Sequence, residues 1–199
     1  GLEFAANSNA LVSASAPSAN FGLAGWWRFE ETNGTTVIDS SGNDRNGTLT
    51  GFESNQTQWV TGKIGGGLLL DGIDDMVKTL GYNGIGGNAP RTVSCWVKTT
   101  SSSANLVLWG RTATNQRFHF TLESGKVKLD ARFNRTRFTT IVNDGQWHHL
   151  VIVYPHAVHL SEMKTYIDGS PDPRSGSDHD NPLNTITQNP LQIGTFDGV

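Results

Sequence analysis

The sequence predicts an all-β protein, a two-sheet antiparallel jelly-roll sandwich. Short apolar runs recur along most of the 199 residues and are separated by Gly, Asn, Asp and Pro turns. No segment keeps helical periodicity for three turns. A chain of this length buries roughly 70% of its extended surface, so we expect one sandwich domain that needs no disulfides.

The predicted strands begin at residue 25. Residues 25–30 alternate by face and place Trp27 and Phe29 on one side. The run DGQWHHLVIVY, residues 144–154, enters an uninterrupted apolar strand through Trp-His-His. The other predicted strands are 47–49, 68–77, 92–98, 106–110, 118–122, 127–131, 138–141, 164–167 and 191–194. Residues 171–190 are predicted to form a long Pro/Ser/Asp loop.

Two segments divide the chain. Residues 1–22 are small and polar without a clear period, which predicts an N-terminal arm or linker, and residues 23–199 form the predicted sandwich. Trp27, Trp96 and Trp147 are in phase with apolar neighbours and are predicted to lie in the core, as is His149. The single cysteine, Cys95, lies in an apolar run and is predicted to be a small buried hydrophobe.

Composition excludes several functions. The net charge is −3 with the two signs scattered, and no basic block could follow a phosphate backbone, so nucleic acid is not an expected partner. No apolar run approaches a membrane span. Glu30 and Glu31 are adjacent and would point to opposite faces of a strand, and neither an HExxH nor a GxSxG motif is present. We therefore expect a protein that is not an enzyme.

Four patterns in order carry a resemblance to a known family. They are WWRFEETNGTTVIDSSGNDRNGTL at 26–49, WVTGKIGGGLLLDGIDDMV at 59–77, RTVSCWVKT at 91–99, and DGQWHHLVIVY at 144–154 with TYIDG at 165–169. Together they span about three-quarters of the chain and resemble the bacterial laminin-G-like domains of the concanavalin A-like lectin/glucanase jelly-roll class. The resemblance implies a non-catalytic recognition module, secreted or at the cell surface, for a polysaccharide, a glycan or an extracellular protein.

The chain departs from that family pattern at two places. Met76 occupies a position that is usually aromatic, and the usual last strand, similar to GxIDEVRIY, does not follow before Val199. We expect an open sheet edge where that strand would pair. The sequence leaves open a truncated strand or a strand supplied by a partner, such as the N-terminal arm of a neighbouring copy. The alternative function is thus a structural or adhesive subunit that self-assembles through this edge and its arm.

Two oxygen-rich loops are candidate metal ligands. Asp39 and Asn43 in DSSGN, with Asp71, Asp74 and Asp75 in DGIDD, offer the hard oxygen atoms that Ca²⁺ prefers. The family resemblance implies a structural Ca²⁺ that ties such loops together. The alternative is that both loops are ordinary turns stabilised by Asp side chains.

A second candidate site lies on successive central strands. Aromatic faces beside planar hydrogen-bonding groups are typical of sugar binding. The predicted ligand-binding residues are Trp109, Arg111, Arg117, Arg132 and Arg135. The alternative is that these residues only form a solvated polar sheet face.

Overall fold

The computed structural model describes residues 2–5, 22–53, 58–156 and 159–195. The strands in these ranges are β1 Leu2–Ala5, β2 Thr36–Val37, β3 Gly47–Thr50, β4 Trp59–Thr61, β5 Gly66–Leu70, β6 Met76–Thr79, β7 Arg91–Thr99, β8 Ser103–Gly110, β9 Arg117–Glu123, β10 Lys126–Asp130, β11 Arg135–Ile141, β12 Trp147–Tyr154, β13 Lys164–Ile167, β14 Ser170–Asp172, β15 Arg174–Asp178 and β16 Leu191–Gly194. In the described part of the chain, helix is limited to one 3-10 turn, Leu160–Glu162. No helix among these residues is long and apolar enough to cross a membrane.

The strands form two antiparallel sheets. The order of the seven-stranded sheet is β14-β13-β12-β7-β1-β5-β4. The order of the nine-stranded sheet is β15-β11-β10-β9-β8-β16-β6-β3-β2. This two-layer arrangement confirms the predicted all-β jelly-roll sandwich.

One hydrophobic core lies between the sheets. Leu150, Ile152 and Tyr154 alternate along β12 and are fully buried, as period-2 geometry requires for a strand with one face inward. Phe118 and Phe120 of β9 belong to the same buried cluster. Full burial of such a side chain stabilises the fold by roughly 1.5–3 kcal/mol relative to leaving it exposed.

Residues 2–5, which the sequence assigns to an arm, form a strand inside the seven-stranded sheet. β1 pairs antiparallel with β5 on one side and with β7 on the other. The rest of the predicted arm, residues 6–21, lies outside the described residues, as do residues 196–199, where the last strand was expected to be missing.

Three strand predictions were wrong. Residues 25–30 make only an isolated bridge between Trp27 and Asp39, and Phe29, with φ of 56°, leaves the extended conformation. The predicted loop 171–190 contains β15 and most of β14, which the sequence hides because their residues are small and polar.

Two tryptophans and a histidine predicted to be core residues lie elsewhere. Trp96, Trp147 and His149 are half-buried, and Trp96 and His149 lie opposite each other with ring centroids 5.1 Å apart. Strand alternation explains the difference, because Val97 and Leu150 take the inward positions next to them. Cys95 is also only half-buried as a residue, but burial raises the pKa of its thiol to about 12, which keeps it unreactive at neutral pH.

Candidate functional site

Four predicted arginines meet at one end of the nine-stranded sheet. Arg111 follows β8, Arg117 begins β9, and Arg132 and Arg135 lie in and after the turn between β10 and β11. The Asn115 N–H donates to the Ala131 carbonyl at 2.7 Å and joins the two turns. We call this region, with Asp130 and Phe133, the arginine corner.

Asp130 organises the arginine corner. One carboxylate oxygen accepts from Arg117 Nη2 and from the Arg132 N–H, both at 2.7 Å, and the other accepts from Arg135 Nε at 2.9 Å. Burial opposes ionisation of Asp130, but hydrogen bonds and charge from Arg117, with the other donors, outweigh it and lower its pKa to about 2. The sequence analysis missed Asp130, although its cross-strand pairing with Arg135 is the signal that an Asp–Arg hairpin pair would give.

The outer part of the corner is open to solvent. Phe133 is 55% exposed, and the Arg132 guanidinium lies 5.1 Å from the centre of its ring. Arg111 is exposed as well, and within the described residues no carboxylate pairs with the guanidinium of Arg111 or Arg132. Arg117 is buried and supports Asp130 from beneath. Two free planar donors therefore flank one exposed aromatic face.

Trp109 does not join this surface. It is only 2% exposed, stacks on Phe118 with centroids 4.3 Å apart, and donates its indole N–H to the Ile85 carbonyl at 3.0 Å. Register explains this position, because Trp109 lies opposite the inward-facing Phe118. A ligand at the arginine corner has no access to the Trp109 ring.

Beyond the corner, the polar face of the nine-stranded sheet is laced with ion pairs. Arg137 bridges Glu123 and Asp178 at 2.7 Å and 2.9 Å, and Lys128 donates to Glu123 at 2.6 Å. Burial, with nearby Arg117, lowers the pKa of His119 to about 4, so this histidine is neutral at pH 7. This part of the face fits the alternative that the sequence left open, a self-satisfied polar surface.

The predicted acidic loop forms a cluster at the opposite end of β8. One carboxylate oxygen from each of Asp71, Asp74 and Asp75 lies within 4.8 Å of the others. Asp75 is fully buried, and its Oδ2 accepts from the Asp71 N–H at 2.9 Å, while Asp71 and Asp74 are exposed. Three converging carboxylates fit a hard divalent cation in donor type and spacing.

Close backbone contacts hold this acidic loop. Gly51 (φ +95°) packs so tightly that a Cβ there would lie 2.2 Å from the Asp74 carbonyl oxygen. On the other side, the Thr195 N–H donates to the Asp75 carbonyl at 3.0 Å. A cleft of about 500 Å³ opens beside the loop and is lined by polar groups that include Asp71, Ser101 and Asn105.

The DSSGN loop lies apart from that cluster. Asp39 accepts four hydrogen bonds, from the backbone of Trp26, Ser41 and Arg45 and from the Ser41 hydroxyl, at 2.8–3.0 Å. Asn43 donates its amide to Leu23 O at 2.8 Å. Both oxygens of Asp39 are therefore occupied, which matches the turn that the sequence analysis held as its alternative.

Comparison with known proteins was made on this fold and these sites. A family model described as the concanavalin A-like lectin/glucanases superfamily matches residues 71–198, more than half of the chain. No curated protein matches. Among solved structures, domains LG4-5 of the mouse laminin alpha1 chain are 16% identical with a TM-score of 0.44, over 62% of this chain and 32% of that chain. The LG1-3 region of the laminin alpha2 chain is 14% identical with a TM-score of 0.44, over 58% of this chain and 24% of that one.

The fold and its two rim sites define a concanavalin A-like sandwich with ligand groups at its ends. The chain belongs to the concanavalin A-like lectin/glucanases superfamily, as a laminin G-like domain. Such domains are typically non-catalytic binding modules of extracellular proteins. The chain spans about a third or less of the laminin structures that it resembles.

Proposed function

We infer that this chain is a non-catalytic, secreted or cell-surface recognition module that binds carbohydrate at the arginine corner. The observation that carries the proposal is the pair of free guanidinium groups, Arg111 and Arg132, beside the exposed ring of Phe133. A sugar presents an apolar C–H face to an aromatic ring, and its hydroxyl or carboxylate oxygens match the planar fork of arginine. The Asp130 hydrogen bonds fix the corner before a ligand arrives, which lowers the ordering cost of binding.

A polysaccharide affinity gel or glycan array tests this proposal. We expect Arg132→Ala and Phe133→Ala each to weaken binding at least tenfold, about 1.4 kcal/mol, because each removes one element of the aromatic–arginine pair. Arg28→Ala is the matched control, since Arg28 is a half-exposed arginine paired only with Glu30. Equal retention of all three variants would reject the corner as the site, and no retention of the parent chain on any glycan would reject carbohydrate binding.

We place a structural Ca²⁺ at the acidic loop as part of the same proposal. Asp71, Asp74 and Asp75 would hold it, and the ion would tie the loop after β5 to the rim that Gly51 and Thr195 flank. A cation that binds only the folded chain at 100 times its Kd would add about 2.7 kcal/mol of stability.

Thermal unfolding with Ca²⁺ and with EDTA tests the metal. We expect Ca²⁺ to raise Tm in the parent chain and in Asp44→Asn, an exposed control outside the cluster whose left-handed φ of 56° asparagine tolerates. Asp71→Asn and Asp74→Asn should lose the shift. A Tm that ignores both reagents in the parent chain would contradict the site.

A further inference from the structure

The place of β1 in the seven-stranded sheet raises a separate question. β1 runs antiparallel to both β5 and β7, so those two strands run in the same direction with one strand between them. Two strand spacings separate them by about 10 Å. Without an occupant, the facing backbone N–H and C=O groups of both strands would lack partners inside the sheet.

The walls of this space select an extended segment with a defined pattern. Position 4 lies opposite Leu68 and Val97, which are 0% and 1% exposed. Position 2 lies opposite Leu70 and Thr99, which are also buried. An occupant therefore meets the core side at every second residue, and apolar residues fit there. The sequence Leu-Glu-Phe-Ala has this alternation.

β1 covers only part of the space along β7. It pairs with four of the nine residues of β7, at its C-terminal end. Val97 is buried where β1 pairs, whereas Val93 and Cys95, which share its inward face beyond Ala5, are only half-buried. The receiving surface is thus longer than the described strand that occupies it.

We propose that the space between β5 and β7 is a strand-acceptor site for an extended peptide of a protein partner. The peptide runs antiparallel to both strands, carries apolar residues at alternate positions, and takes the place that Leu2–Ala5 occupies in the chain alone. Main-chain hydrogen bonds to two strands supply affinity, and the buried walls supply specificity. This site does not depend on the arginine corner or on the metal.

The tether sets how tightly a free peptide must compete. A segment joined to its own site has an effective concentration in the millimolar range. A free peptide therefore binds the parent chain only weakly, and a change that removes Leu2–Ala5 from the sheet should strengthen its binding.

The first test opens the site with Phe4→Pro, because proline lacks the backbone donor and is excluded from central strands. The probe is a fluorescent peptide of residues 1–7, GLEFAAN, and the readout is anisotropy. We expect Phe4→Pro to bind it at least tenfold more tightly than the parent chain, and a peptide with Pro at position 4 not to bind. Glu3→Ala keeps the backbone donor and should behave as the parent. A folded Phe4→Pro chain that binds no peptide overturns the proposal.

A cross-link decides the case if Phe4→Pro fails to fold. Position 3 lies opposite Lys98. We expect the chain Cys95→Ser/Lys98→Cys to form a disulfide with excess peptide that carries Cys at position 3, and much less with Cys at position 5. Absence of this register preference overturns the proposal.

A third readout separates a partner peptide from a second copy. The parent chain is compared by light scattering, and the oxidised variant Glu3→Cys/Lys98→Cys by non-reducing gel. Disulfides formed within one chain support the site as described. Dimers whose disulfides join two chains would overturn the partner peptide and make the site an interface between copies.

Discussion

Arg91 is a buried cation held by carbonyl groups. It is 4% exposed, and no carboxylate among the described residues pairs with it. Its guanidinium donates to Ala89 O, Ile85 O, Gly86 O, Gly87 O and Thr185 Oγ1 at 2.6–3.2 Å. Burial lowers its pKa to about 10, so it stays charged at neutral pH. One side chain thus satisfies the carbonyls of an entire loop.

We expect Arg91→Lys to destabilise the fold by about 3 kcal/mol, because one ammonium cannot replace the planar fork and leaves buried carbonyls without donors. Urea unfolding monitored by far-UV circular dichroism measures this loss. Arg28→Lys at an exposed ion pair is the control and should change stability by less than about 0.5 kcal/mol. Equal stability of the two variants would contradict the role of Arg91.

His148 clamps two turns through paired carboxylates. Its Nδ1 lies 2.7 Å from Asp168 Oδ2 and its Nε2 lies 3.1 Å from Asp144 Oδ1. Partial burial lowers its pKa, but the two carboxylates outweigh burial, and the net pKa is raised. A raised folded-state pKa means that the stabilisation is complete below the unfolded value, near 6.5, and is lost as pH rises through the folded value.

We therefore expect the parent chain to lose stability relative to His148→Gln as pH rises from about 5.5 to 8. Urea midpoints at both pH values measure the difference. His156→Gln, at an exposed histidine, should follow the parent chain. A parallel pH dependence in His148→Gln and the parent would disprove the clamp.

At the scale of the elements, Gly51 connects the end of β3 to the acidic loop. We expect Gly51→Ala to cost more than 2 kcal/mol and to weaken Ca²⁺ binding, because its Cβ would lie 2.2 Å from the Asp74 carbonyl oxygen. Gly72→Ala is the matched control. Gly72 also has positive φ (+81°), but no atom lies within 4 Å of its added Cβ, so only about 1 kcal/mol of backbone strain is expected. Thermal melts with and without Ca²⁺ distinguish the two.

Strand prediction succeeded where apolar residues alternate and failed where they do not. The inward set of β12 follows directly from period 2, as does Phe118–Phe120 on β9. β15 carries Arg-Ser-Gly-Ser-Asp and pairs only because β11 offers an edge, which local sequence does not reveal. β1 is four residues whose partners lie more than 60 positions away.

The candidate sites were predicted in part for the same reason. Asp71, Asp74 and Asp75 are local neighbours, and their convergence follows from one turn. The arginine corner needs two turns to meet, and Asp130, which fixes it, gave no local signal. Trp109 was misplaced because a Trp beside Gly110 and Arg111 resembles a loop edge, while cross-strand register puts it in the core.

At the scale of the whole molecule, the two sheets share one core. Val97 and Leu150 from one sheet and Phe120 and Leu129 from the other belong to the same buried cluster. We expect a single cooperative transition, in which tryptophan fluorescence and far-UV circular dichroism give the same midpoint. Two separate midpoints would show that the sheets unfold independently.

The arginine corner and the acidic loop lie at opposite ends of β8, an eight-residue strand of about 25 Å. That separation exceeds the Debye length at physiological salt, about 8 Å. Glycan and cation should therefore bind with additive free energies, and Ca²⁺ should leave glycan affinity unchanged within twofold. A larger change would indicate coupling through the core.

The position of β1 also orders the birth of the molecule. Leu2–Ala5 leave the ribosome early, yet one neighbour, β7, ends only at Thr99. The nascent chain must therefore carry an apolar tetrapeptide without a sheet to enter until almost a hundred codons have been translated. During that interval the segment is open to chaperones, and the central ladder closes as a late event in synthesis.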